Sequence, residues 1–191
     1  MQFAREPLVG SSPYPYDLAW RQVHDIPADV GQVFSLLAGA VLCIATFALW
    51  IVAVPFHPVH IDYATLIVAA AMVLFFHELS HAAMFTCGRD RGLRVECVWQ
   101  KYRPHLRYRG AVSRSRYIAV LLAPLMAITL MPIVASVALS LHSGDLVVVS
   151  VLNALVSGGD VLAAALVLLQ VPANGIVQRR GDCVIWKSAR A

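Results

Sequence analysis

Charged side chains are scarce in this chain: 14% of its 191 residues are Asp, Glu, Lys or Arg, against about 25% in an ordinary soluble domain. Hydrophobic residues fill 59% instead, which argues against a soluble globular domain, where the apolar share is about 45–50%. The four cysteines (Cys43, Cys87, Cys97, Cys183) include no Cys-x-x-Cys pair, which excludes a thiolate zinc site and a dithiol redox motif. The first thirty residues hold Arg5, Glu6, Asp17, Arg21, Asp25 and Asp29 and no long apolar core, so no cleavable signal peptide is expected there. They read as a cytoplasmic lead-in, residues 1–32, with Pro13-Tyr14-Pro15-Tyr16 as its most irregular part.

Four long apolar runs remain, about 33–54, 63–87, 117–141 and 146–170, each long enough to cross roughly 30 Å of hydrocarbon. The connections 55–62 and 142–145 contain no Lys or Arg. Arg5 and Arg21 precede the first run, nine basic residues lie between the second and third, and four follow the last, which accounts for all 15. The positive-inside rule then puts both termini, including a tail at 171–191, and the long middle loop in the cytoplasm of a multi-pass cell-membrane protein. The expected fold is an all-α integral membrane protein of four transmembrane helices, spanning 33–170. The basic loop faces anionic headgroups of the lipid bilayer; no nucleic-acid partner is implied. Within that loop, Leu93 to Trp99 and Leu106 to Arg109 alternate apolar and polar residues around Pro104. That pattern fits a short two-stranded β-ribbon, with an irregular basic tether as the alternative. Trp20, Trp50, Trp99 and Trp186 read as interfacial anchors, and Pro124 and Pro132 as kinks in the third span.

Inside the second run stands His77-Glu78-Leu79-Ser80-His81. Histidines at i and i+4 share a helix face and can hold one zinc ion, with the intervening Glu78 as general base toward water. A catalytic zinc takes three protein ligands and an open position. The first run offers only Cys43 and the third offers no acid or histidine; the fourth contains Asn153, Ser157 and Asp160. A carboxylate inside a span is costly unless paired or metal-bound. His77 lies about 14 residues from Tyr63 and Asp160 about 14 from Leu146, so both sit roughly 21 Å from the same membrane face. Asp160 is therefore the expected third ligand. Gly158-Gly159 just before it reads either as a local opening that aims Asp160 or as a place of close helix packing. On a regular helix Asn153 shares a face with Asp160, where it could hold an extended substrate backbone. His57 and His60 read as part of a solvated turn, and His24 and His142 as ordinary exposed residues.

His77-Glu78-Leu79-Ser80-His81, Leu122-Ala123-Pro124-Leu125 and Asn153 with Ser157-Gly158-Gly159-Asp160 together resemble the putative zincin peptidase family of small membrane proteins. Through it the chain is similar to site-2 protease class intramembrane metalloproteases. The resemblance covers roughly residues 63–165. It implies Zn²⁺ held by His77, His81 and Asp160, Glu78 as base, and a membrane protein or peptide as substrate. Site-2 proteases place a glycine after the aspartate, whereas Val161 follows Asp160 here. The alternative is a catalytically silent zinc-binding scaffold of the same fold. A zinc transporter would need further acids or histidines along a path, and the first and third spans supply none.

Overall fold

A computed structural model describes residues 20–23, 26–54, 63–87, 94–100, 103–141, 143–180 and 183–188. The lead-in through residue 19, His24, His57, His60 and His142 lie outside the described residues. Helix α1 (Ala28–Ala53) and helix α2 (Tyr63–Thr86) run through the first two apolar stretches. The third stretch is α3 (Arg114–Pro124), a wider π-helical turn (Leu125–Leu130) and α4 (Met131–Leu139). Pro124 has no N–H to continue the ordinary ladder, and the widened turn begins directly after it. Among the described residues three helices are long and apolar enough to cross a membrane: 29–53, 66–86 and 114–139.

The fourth stretch is broken. Helix α5 (Gly144–Val156) and helix α6 (Gly158–Gln170) meet at Ser157 with a bend of 46°, and only taken together do they make a fourth span. The cause is α1. A β-carbon on Gly158 would collide with the Ser35 carbonyl oxygen and the Gly39 backbone, and one on Gly39 would collide with the Leu155 carbonyl. Glycine on both sides lets the two backbones touch at the break, so the close-packing reading of Gly158 holds.

The expectation of an all-α fold is corrected by two antiparallel sheets. Strand β2 (Arg94–Gln100) pairs with β3 (Arg103–Arg109) as a hairpin in the middle loop, where the alternation had indicated a ribbon. A second sheet has the order β1-β6-β5-β4. It joins β1 (Arg21–Gln22), β4 (Ala111–Ser113), β5 (Gly175–Arg180) and β6 (Cys183–Ser188). The segment read as a tail is thus half of a sheet. Gly181-Asp182 between β5 and β6 is a two-residue hairpin signal that was there to be read. Because its strands precede α1, precede α3 and follow α6, this sheet gathers those chain segments at one end of the helices.

Buried apolar residues fasten the sheet to the helices. Val23, Val167, Val171 and Val177 form one cluster against Tyr117 and Trp186; Phe85, Val112 and Val120 form another. Polar bonds reinforce the same end. The C-terminal carbonyls of α2 and α6 have no helical donors of their own. Arg116 Nη2 donates to Phe85 O (2.7 Å) and Cys87 O (3.1 Å), and Arg114 Nη2 donates to Leu168 O (2.8 Å). Away from the sheet the helices turn large side chains outward, with Val52 85% and Ile44 70% exposed, as lipid-facing surfaces do. Trp50 departs from the anchor role expected of it: it is fully buried with Val54, Ile133 and Val147.

Gly158→Ala is expected to lower stability by roughly 1–3 kcal/mol, because its β-carbon meets backbone that cannot rotate away. Gly159→Ala meets only the Ser35 side chain at 3.7 Å and should stay within about 0.5 kcal/mol of wild type. Thermal unfolding in lipid nanodiscs reads both; equal effects would contradict the crossing.

Candidate metal centre

His77 and His81 face inward on α2, both more than nine-tenths buried. Their i, i+4 spacing stacks the rings edge to face with centroids 4.9 Å apart. Asp160, in the first turn of α6, meets them: its Oδ2 lies 3.0 Å from His77 Nε2 and 3.4 Å from His81 Nε2. The two Nε2 atoms are 3.2 Å apart.

The hydrogen-bond partners decide what these three atoms carry. His81 Nδ1 lies 2.7 Å from the Val120 carbonyl oxygen, which can only accept, so Nδ1 bears the proton. Asn153 Nδ2 donates to Pro124 O and to Thr129 Oγ1, both at 2.9 Å, so its Oδ1 accepts from His77 Nδ1 at 3.0 Å. With both protons assigned to Nδ1, each Nε2 presents a lone pair. Asp160 Oδ2 is buried and finds no donor. With both imidazoles neutral, the short distances to it are approaches of acceptor to acceptor; with either ring protonated they become charge-assisted hydrogen bonds. Three lone pairs converge where only a cation relieves them.

The spacing fits one. Ligands about 2.0–2.1 Å from a tetrahedral zinc stand about 3.3–3.4 Å apart. The observed triangle has edges of 3.0, 3.2 and 3.4 Å, one face of such a tetrahedron. His77, His81 and Asp160 form the group able to hold a metal among the described residues. The set is not sealed: the Asp160 side chain is 21% exposed, against 6% and 9% for the two histidines. A closed structural site would have a fourth protein ligand; this one opens beside Asp160.

A sequence-family profile described as "Putative zincin peptidase" matches residues 70–176. The chain belongs to this family. Membership implies a zinc metallopeptidase, and the matched region contains every residue of the centre. No curated protein and no solved structure matches the chain.

Glu78 follows His77 directly and is half-buried, with no hydrogen bond or ion pair among the described residues. Asn153 has a different occupation from the one expected of it. It is fully buried, its oxygen accepts from His77 and its amide hydrogens go to Pro124 and Thr129, which makes it a support of the histidine. Two supporting groups were missed in the sequence: Thr129, which accepts from Asn153, and the Val120 carbonyl, which accepts from His81. Thr129 gave no signal beyond being a hydroxyl in an apolar run. The Val120 carbonyl, as backbone, has no sequence signal at all.

Such outer partners fix the ring orientation of ligating histidines. One zinc ion per chain is expected, lost in Asp160→Ala. Asn153→Ala should weaken zinc affinity about 10–100-fold in chelator competition. Unchanged affinity would remove Asn153 from the centre.

Proposed function

We propose that this protein is an intramembrane zinc metallopeptidase that hydrolyses a peptide bond of a membrane-protein segment near the cytoplasmic face. The observation that carries the reading is the three-membered cluster of His77, His81 and Asp160, with Glu78 adjacent to His77 in sequence, set among helices with apolar outer surfaces.

His77, His81 and Asp160 would hold the metal by Nε2, Nε2 and Oδ2. When bound, zinc lowers the pKa of water from 15.7 to about 7 and polarises a carbonyl. Glu78 takes the proton from the attacking water as its oxygen bonds to the carbonyl carbon. It then returns that proton to the nitrogen as the C–N bond breaks, leaving a carboxylic acid and an amine. Asn153 and the Val120 carbonyl keep both imidazoles in the tautomer that binds metal. Substrate must present an unwound peptide bond, since a helical one is shielded by its own side chains. The exposed side of Asp160 is the approach. The β2–β3 hairpin, joined to the end of α2 in sequence, could pair with such an extended segment as an added strand.

Membrane orientation follows the basic residues. The end carrying the sheet has Arg21, Arg179 and Lys187 on its strands and Arg114 and Arg116 at the start of α3. None of the 15 Lys and Arg of the sequence falls in the connections 55–62 and 142–145, which supports a cytoplasmic position for the sheet end and for both termini. Cys87, exposed at the end of α2, should then escape an impermeant thiol reagent in intact cells and react in inverted membrane vesicles. Labelling from outside would reverse the topology.

Glu78→Gln separates an enzyme from a silent scaffold. Cleavage of a membrane-anchored reporter peptide should fall about 10²–10⁴-fold while one zinc per chain is retained. Cleavage at the wild-type rate would remove Glu78 as base.

A further inference from the structure

Polar groups are also buried at the other end of the bundle, away from the sheet, and the reaction does not use them. Trp50 Nε1, Ser136 Oγ and Ser150 Oγ are enclosed and have no hydrogen-bond partner among the described residues. Trp50 and Ser150 are 0% exposed and Ser136 is 1%. They belong to three helices, α1, α4 and α5, that meet in one place: Trp50 packs in a single cluster with Ile133 and Val147. Ser136 lies one turn beyond Ile133 on α4, and Ser150 one turn beyond Val147 on α5, so each serine shares a face with a residue of that cluster.

Serines inside helices usually turn back to a carbonyl of the preceding turn. Ser80 does so to Phe76 O (2.7 Å) and Ser157 to Asn153 O (2.8 Å). Ser136 and Ser150 do not. Their hydroxyls and the indole N–H are enclosed on helices that pack together, and no acceptor among the described residues meets them. An indole can only donate, whereas a hydroxyl both donates and accepts. A ligand that accepts from the first and exchanges bonds with the others matches water, which in protein interiors bonds two to four otherwise unsatisfied groups.

We propose that the seam between α1, α4 and α5 is an internal water-binding site lined by Trp50, Ser136 and Ser150. It adjoins the network of the metal centre. Thr129 Oγ1 donates to Ser150 O (3.2 Å) and accepts from Asn153 Nδ2, and Asn153 Oδ1 holds His77. The hydrogen-bond chain behind His77 therefore reaches the backbone of Ser150, the residue whose hydroxyl lines the proposed site. The site stands whether or not the protein proves to be a peptidase.

The full-length, zinc-loaded protein in nanodiscs of phosphatidylcholine and phosphatidylglycerol is the sample for the test. Ultraviolet resonance Raman, taken as wild type minus Trp50→Phe, isolates the indole band that reports N–H hydrogen bonding. The band is expected at its hydrogen-bonded position; the free-indole position overturns the site. Thermal midpoints of Ser136→Ala and Ser150→Ala give an answer that needs no tryptophan variant. Both should fall, since each variant takes a partner from bound water. A raised or unchanged midpoint in both overturns the site, because deleting a dry, unpaired hydroxyl relieves the protein.

Discussion

Two imidazole nitrogens and a carboxylate oxygen, each with a lone pair directed at the others, are held within 3.4 Å inside an apolar bundle. With both imidazoles neutral and their Nδ1 hydrogens held by Asn153 and Val120, no donor faces these three atoms, and only added protons or a metal ion relieve them. That constraint gives the remaining features their purpose. A buried polar cluster without a counter-ion costs several times what one surface ion pair contributes. The contacts that keep it assembled are accordingly drawn from α2, α3, the π-helical turn, α5 and α6.

The break at Ser157 is the structural means. Residues seven apart on a straight helix are separated by about 10.5 Å along its axis. Asn153 and Asp160 nevertheless address the same ring: His77 Nδ1 binds one and His77 Nε2 faces the other. The 46° bend, permitted where Gly158 passes the Gly39 backbone of α1, places Asp160 at the histidine pair. The widened turn after Pro124 serves the other side. It holds Thr129, and the Pro124 carbonyl just before it also binds the Asn153 amide. Proline and glycine, poor helix residues both, mark the two places where the spans depart from regularity to build the centre.

Much of this was legible. Long apolar runs announced the helices, and His77, Glu78 and His81 are neighbours on one helix, so their spacing is a local signal. Asp160 was reachable by elimination, since the other spans hold no acid apart from Glu78. The four-stranded sheet was legible only at β5 and β6, which pair locally across Gly181-Asp182 in sequence; β1 and β4 come from near residues 21 and 112 and pair with them across the chain. Short strands whose partners are remote leave only a weak local pattern. Trp50 misled for a related reason: a tryptophan near a span end looks like an interfacial anchor, and only packing shows that α4 and α5 cover it. Asn153 lay on the right helix, but its role depended on the partners its amide had already found.

The central claim is that His77, His81 and Asp160 are the ligands of a zinc ion. X-ray absorption at the zinc edge of the purified protein in lipid nanodiscs tests it most directly. The account predicts stoichiometric zinc in a shell of nitrogen and oxygen at about 2.0–2.1 Å, with the multiple-scattering pattern of two imidazoles. In Asp160→Ala that signal should be lost. A sulfur shell at about 2.3 Å, or protein that takes up no zinc when folded, would contradict it.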